Sequence, residues 1–131
     1  LEKGASRIVT GSFCNLDSVC RFLLAEKRPV ILGCAAWKDR VNIEDALFAG
    51  AVIHNVKDDF SINCDSSQIA ETLYQSGKKD LFEFMKRNRA SHFRRLMGFG
   101  LEKDIRYCLS LNQADVLPFY EDGKLVVQKS K

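Results

Sequence analysis

Apolar and polar positions follow two different periods along this chain, and the change of period marks out its elements. Ser6–Thr10 carries the β-branched residues Ile8, Val9 and Thr10 and reads as a short strand, broken by Gly11-Ser12-Phe13-Cys14-Asn15. Apolar side chains then recur at Leu16, Val19, Cys20, Leu23 and Leu24, the stripe of an amphipathic helix. Asn15 stands at its start as an N-cap, since an amide oxygen can accept a backbone N–H of the first turn. Lys27-Arg28-Pro29 ends the helix, and Val30–Ala36 follows as an unbroken apolar run, the pattern of a strand buried on both faces. Trp37–Val41 is a polar connection. Asn42 caps the next helix, which runs to about Asn55 with Ile43, Leu47, Gly50, Ala51 and His54 on one stripe, small residues among them allowing close packing.

The order strand–loop–helix–strand–loop–helix over the first 55 residues favours parallel strands joined by a right-handed helical crossover. Helices are expected over Ser66–Gln75, over Lys79–Leu96 with Gly98 as its stop, and over Leu101–Leu111. Val116–Tyr120 and Lys124–Gln128 flank Glu121-Asp122-Gly123, whose Asp-Gly pair signals a hairpin. The expected fold class is therefore a single α/β domain over residues 1–131: a mostly parallel sheet flanked by helices, with a C-terminal β-hairpin.

Composition narrows the partners. The chain of 131 residues is 46% apolar and 28% charged, enough for one core without staples. Its 20 Lys and Arg against 17 Asp and Glu leave a net charge of +3, too small to imply nucleic acid or an anionic membrane. The longest apolar stretches, Val30–Trp37 and Ala46–Ile53, fall well short of the roughly 18 residues of a membrane span. The N-terminus has no secretory h-region. Five cysteines (Cys14, Cys20, Cys34, Cys64, Cys108) without a C-x-x-C pair fit reduced thiols of a cytoplasmic protein, serving as small core residues. Leu1 rather than Met opens the chain, and Glu2–Gly4 reads like the end of a preceding helix, so a longer polypeptide is expected.

Candidate chemistry gathers at the loops that would follow the first two strands, because open parallel sheets bind ligands beyond the carboxyl ends of their strands. Gly11–Asn15 leads into a helix N-terminus, where free N–H groups attract an anion, and Ser12 adds a hydroxyl. Glu44 and Asp45 are adjacent carboxylates at the next helix start. An anion cradle beside two carboxylates suits a phosphate bridged by Mg²⁺. Each piece has a plainer reading too: Gly-Ser turns are common, and acids in a first turn are favoured by the helix dipole alone. His92 shares a helix face with Met85 and Leu96; it is either a hydrogen-bonded core residue or an imidazole that moves protons near neutral pH. The basic run Lys86, Arg87, Arg89, Arg94, Arg95 is either an exposed cationic face drawing in an anionic substrate or, as the rival, an RNA-binding helix. Cys14 and Arg21 are spaced one residue too far apart for the C-x₅-R loop of cysteine phosphatases, and the arginine falls inside a helix.

Five segments, in order, carry a resemblance: Gly11-Ser12-Phe13-Cys14-Asn15, Cys34-Ala35-Ala36, Ile43-Glu44-Asp45-Ala46-Leu47-Phe48-Ala49-Gly50, Ser91-His92-Phe93-Arg94-Arg95-Leu96 and Asp104-Ile105-Arg106-Tyr107-Cys108-Leu109. Together they resemble the C-terminal half of the 2-phosphosulfolactate phosphatases, departing at Trp37, where a small residue is usual, and at Ile43, where leucine is usual. The resemblance implies a Mg²⁺-dependent phosphatase that converts 2-phospho-3-sulfolactate and water to 3-sulfolactate and phosphate, in coenzyme M or sulfolactate formation. It also implies an N-terminal half as partner, with a second copy of the chain as a further option, no nucleic acid and no membrane. In this reading Gly11, Ser12 and Asn15 hold a phosphate or sulfonate oxygen. Glu44 and Asp45 hold the metal, and Asp45 orients the attacking water. Ser91 contacts substrate and His92 protonates the leaving oxygen. Arg94 and Arg95 pair with the sulfonate or carboxylate, for which a planar guanidinium is suited.

Overall fold

A helix closes its backbone hydrogen bonds within itself and needs only one apolar stripe covered, whereas a strand depends on neighbours for its backbone. That difference decides which of the expected elements form. The structure, a computed structural model, describes residues 4–127. A single 3₁₀ turn at Phe13–Asn15 leads into α1 (Leu16–Glu26), followed by α2 (Ile43–Val56), α3 (Asp65–Gly77), α4 (Leu81–Arg87), α5 (Ser91–Gly98) and α6 (Glu102–Cys108). The strands β1 (Pro118–Glu121) and β2 (Lys124–Val127) close the chain as an antiparallel hairpin in the register Pro118↔Val127 to Glu121↔Lys124. Asp122 and Gly123 both take positive φ, 48° and 79°, as the two-residue turn requires. Glu2 and Lys3 of the expected helix tail, and Gln128 of the hairpin, lie outside the described residues.

The mostly parallel sheet is not found. Among the described residues the sheet has two strands, antiparallel, and the fold is helix-rich. Ser6–Thr10 runs antiparallel beside β1, through a bridge between Val9 and Phe119 and the bonds Thr10 N–H to Pro118 C=O (3.0 Å) and Tyr120 N–H to Ile8 C=O (2.9 Å). Val30–Ala36 forms no strand, and Ile31 is 91% exposed. A continuous apolar run announces a buried strand only where a sheet exists on both of its edges; none of the described chain supplies one.

The helices pack around α2. Leu47 and Ala51 are completely buried and Val52 nearly so, against α1 residues Leu16, Val19, Cys20 and Leu23 and, beyond, Tyr74, Phe82, Met85 and Phe93. A leucine or valine buried in this way contributes about 1.5–3 kcal/mol by leaving water. Gly50 lets α2 and α3 approach closely: a Cβ there would overlap the Ala70 carbonyl and come within 2.9 Å of the Tyr74 Cβ. The small-residue reading of this stripe is borne out.

The expected long helix over Lys79–Leu96 is two helices. Asp80 caps the first by accepting the Glu83 N–H (2.9 Å). Its end is a Schellman turn: Arg89 is left-handed (φ 51°), its N–H bonds the Lys86 carbonyl, and the Ala90 N–H reaches back to Met85. The Asn88 amide takes the Phe84 carbonyl (2.8 Å), and Ala90, buried, fixes the corner from which α5 departs. The run 86–95 is therefore no continuous basic helix.

Neither asparagine read as a cap bonds its own helix through its side chain. The first turn of α1 is capped from a distance, by Asn112 Oδ1 accepting the Asp17 N–H (2.8 Å). Of the five cysteines, all free, only Cys20 is a core residue; Cys14 is half-buried and Cys34, Cys64 and Cys108 are exposed. Burial, helped by Asp17, pushes the Cys20 thiol up to about 11.

Candidate active site

Two groups of the expected site residues can be followed upward from α2. The first lies at the turn before α1. Gly11 and Ser12 are exposed, and with Thr10, Cys14, Asn15, Ala114, Val116 and Pro118 they line an open cavity of about 250 Å³. Asn15 is buried and organises this turn: its Oδ1 accepts the Ser12 N–H (2.8 Å), and its Nδ2 donates to the carbonyls of Thr10 (3.3 Å) and Val116 (3.0 Å). The amide thus ties the first and last segments of the described chain together. Asn15 shapes the backbone that Gly11 and Ser12 present, while its own polar atoms are occupied. Gly11 sits over α2: a Cβ there would come within 2.7 Å of the Phe48 ring and 3.0 Å of Val19. Phe48 also meets Phe13 edge-on, with ring centroids 5.5 Å apart.

One turn earlier on α2 lies the second group. Glu44 Oε1 is hydrogen-bonded to Nδ1 of His92, which the Schellman corner delivers in the first turn of α5. Both side chains are about three-quarters buried. Glu44 Oε2 is buried with no hydrogen-bond partner among the described residues. The His92 ring stacks on Trp37 (centroids 5.4 Å, interplanar angle 19°), and the Arg95 guanidinium lies 4.5 Å from the centre of the same indole and 5.6 Å from that of Phe99. His92 and Arg95, three apart on one helix face, therefore share the tryptophan. Ser91 and Arg94 are exposed beside them.

Trp37 is held by a strained turn. Ala36, Lys38 and Asp39 all take left-handed backbone (φ 64°, 51° and 57°), and Trp37 and Arg40 exchange backbone bonds at 2.9 and 3.0 Å. Left-handed conformation costs a non-glycine residue about 1–2 kcal/mol. Part of the constraint comes from Asp45, whose Oδ2 accepts the Ala36 N–H (2.8 Å). Asp45 thus fixes the loop, while Glu44 faces the imidazole. The adjacent acids do different work.

The structure does not bring the two groups into one cavity: neither Glu44 nor Asp45 lines the space beside Ser12. They are neighbours through α2, with Phe48 between them. No three His, Cys, Asp or Glu side chains among the described residues converge as a metal cluster. The Glu44–His92 partnership and the part played by Trp37 were not readable from the sequence, where Trp37 stood out only as a departure from a pattern.

In sequence, the chain is similar to a family of phosphatases. The family described as 2-phosphosulpholactate phosphatase matches residues 1–123; the chain belongs to that family. A Thermotoga petrophila protein named "Probable 2-phosphosulfolactate phosphatase" is 30% identical over 126 residues, covering 95% of this chain and 53% of its own length. Proteins of the same name from Caldanaerobacter subterraneus and Synechococcus are 28% and 31% identical, covering 91% and 88% of this chain and 49% of their own length in each case. The chain spans about half the length of the relatives it matches. Among the described residues no helix is long and apolar enough to cross a membrane.

Proposed function

We propose that this chain supplies the acid–base and anion-binding part of a phosphatase acting on 2-phospho-3-sulfolactate, yielding 3-sulfolactate and phosphate. The observation that carries this reading is the Glu44–His92 pair, oriented under Trp37 and flanked by Arg94 and Arg95. With Nδ1 facing the Glu44 carboxylate, Nε2 is left to carry the mobile proton, the arrangement that suits a histidine for proton transfer. As water attacks phosphorus and the bond to the lactate oxygen breaks, His92 gives its Nε2 proton to that leaving oxygen. Glu44 stabilises the imidazolium before the transfer, and the water's own proton leaves with the phosphate or returns to the neutral imidazole. Arg94 and Arg95 hold the sulfonate or carboxylate, and Ser91 adds a hydroxyl at the same helix start; the turn at Gly11 and Ser12, in a separate cavity, is left out of this site.

Mg²⁺ belongs to this proposal. It is usually held by one or two carboxylates together with substrate phosphate, and the buried, unpartnered Glu44 Oε2 with the second oxygen of Asp45 are donors of the right hardness. Bound there, it would neutralise phosphate charge. Service in coenzyme M or sulfolactate formation, and a cytoplasmic setting, complete the reading, as does cooperation with a polypeptide equivalent to the other half of the relatives.

The test is phosphate release from 2-phospho-3-sulfolactate, by the chain alone and mixed with the unmatched half of the Thermotoga petrophila relative, with Mg²⁺ and with EDTA. His92→Asn should lower turnover by about 10²–10⁴-fold, the range for a general acid–base group, and EDTA should abolish it. An unchanged rate in His92→Asn overturns the assignment, and EDTA-resistant turnover removes the metal.

A further inference from the structure

Between the end of α1 and the start of α2, the run Val30-Ile31-Leu32-Gly33-Cys34-Ala35 has the composition of a strand and no strand partner. No backbone N–H or C=O in it bonds to a described residue. Val30 and Ile31 are 39% and 91% exposed, as is most of Val41 nearby in sequence, while Leu32 turns inward and touches both apolar clusters. Single exposed apolar residues are ordinary. An apolar row with a bare backbone is different, because it is a template for another strand. The relatives, meanwhile, carry about as much chain again as the match covers.

We infer that residues 30–35 are the seat of a β-strand supplied by the half of the family's length that this match leaves out. Strand addition would satisfy the bare backbone groups, with Val30 and Ile31 giving side-chain recognition. The seat leads straight to Ala36, tied to Asp45, and to Trp37, stacked on His92. A strand laid along it would therefore end beside the Glu44–His92 pair, which explains how two halves of one polypeptide could meet at a single site. This inference rests on the family match and the bare segment, independently of the proton-transfer role given to His92.

Hydrogen–deuterium exchange tests it, on the chain alone and mixed with the separately expressed unmatched half of the Thermotoga petrophila relative. The expected result is a one-to-one complex in which the amides of residues 30–35 exchange roughly tenfold more slowly or better than in the free chain. Ile31→Asp, at an exposed position, should weaken that complex by about tenfold or more, as at a buried interface residue, while leaving exchange in α2 and α3 unchanged. Slow exchange of 30–35 arising from self-association of the chain would give the seat to a second copy and overturn the proposal. So would a complex that leaves these amides unprotected, or no complex at all. A protected complex that releases no phosphate would uphold the docking and sink the catalytic reading.

Discussion

The two longest apolar stretches of this chain, Val30–Trp37 and Ala46–Ile53, meet opposite fates. The second lies in α2 and is mostly buried, with Leu47 and Ala51 fully inaccessible. The first, equally apolar by composition, lies open to solvent except at Leu32 and Ala36. Apolar content does not by itself decide burial. A helix satisfies its own backbone and then needs one facing surface, which α3 provides across Gly50 and Ala70. A strand-like segment needs backbone partners first, and only a sheet can give them. The self-sufficient stretch therefore lies at the centre of the core, and the dependent one runs out to the turn at Trp37.

This contrast is broken most forcefully at the helix contact. Gly50→Val adds a branched side chain where even a Cβ would overlap the Ala70 carbonyl, a backbone atom that cannot rotate away. Overpacking usually costs about 1–3 kcal/mol, and because backbone must move here, the loss should lie at or above about 3 kcal/mol, with Gly50→Val largely unfolded in thermal melts. Melting within a few degrees of the wild type would show that α2 and α3 can separate at Gly50 at little cost. An equally bulky change at exposed Ile31 should leave the melt of the isolated chain within about 0.5 kcal/mol, as at surface sites generally.

The same division explains what could be read from the sequence. Helix α2 was legible to within a residue because its stripe, its acidic first turn and its small residues all agree. The break at Arg89 was not, since nothing local forbids Lys-Arg-Asn-Arg from continuing a helix; burial of Ala90 and the Asn88 amide decide it. Asn15 has the right residue type for a cap, yet segments on either side of the chain compete for its amide, Val116 from 101 residues away. Glu44 and His92 were each visible as candidates, but 48 residues separate them, and only the packing of α5 beside α2 makes them a pair. The Val30–Ala36 run has the pattern of a strand without being one, because periodicity reports apolarity, not the presence of neighbours.

A smaller effect probes the outer face of the buried stretch. His54, at the far end of α2, joins Glu71, Gln75 and Lys78 of the α3 region, and Lys57 donates to Glu71 at 2.7 Å. The Lys57 and Gln75 hydrogen bonds hold the Glu71 carboxyl down at about 2. Its unfolded value is near the usual glutamate figure of about 4.3, so its stabilising contribution is complete above that pH and is lost as pH falls toward about 2. In chemical denaturation between those limits, Glu71→Gln should remove up to about one proton from the pH dependence of unfolding. An identical pH slope in the two proteins would mean that Glu71 is as free in the fold as in the unfolded chain.

The smallest expected effect is at the exposed stretch, and its sign is the informative part. Ala36 is held at φ 64° by the bond from its N–H to Asp45. Glycine tolerates that conformation without the cost of about 1–2 kcal/mol that a Cβ incurs, but it also frees the unfolded chain, which takes back about 0.4–1 kcal/mol. Ala36→Gly should therefore raise stability by about 0.5 kcal/mol, read in denaturant melts. The protein has one tryptophan, so Trp37 emission reports whether the turn keeps its place against His92. Unchanged emission with a small gain in stability means the strain is local to Ala36 and borne for position. Red-shifted emission means that the alanine backbone itself, and not the Asp45 bond alone, keeps the indole on the imidazole, and the open stretch then owes its geometry to its strain.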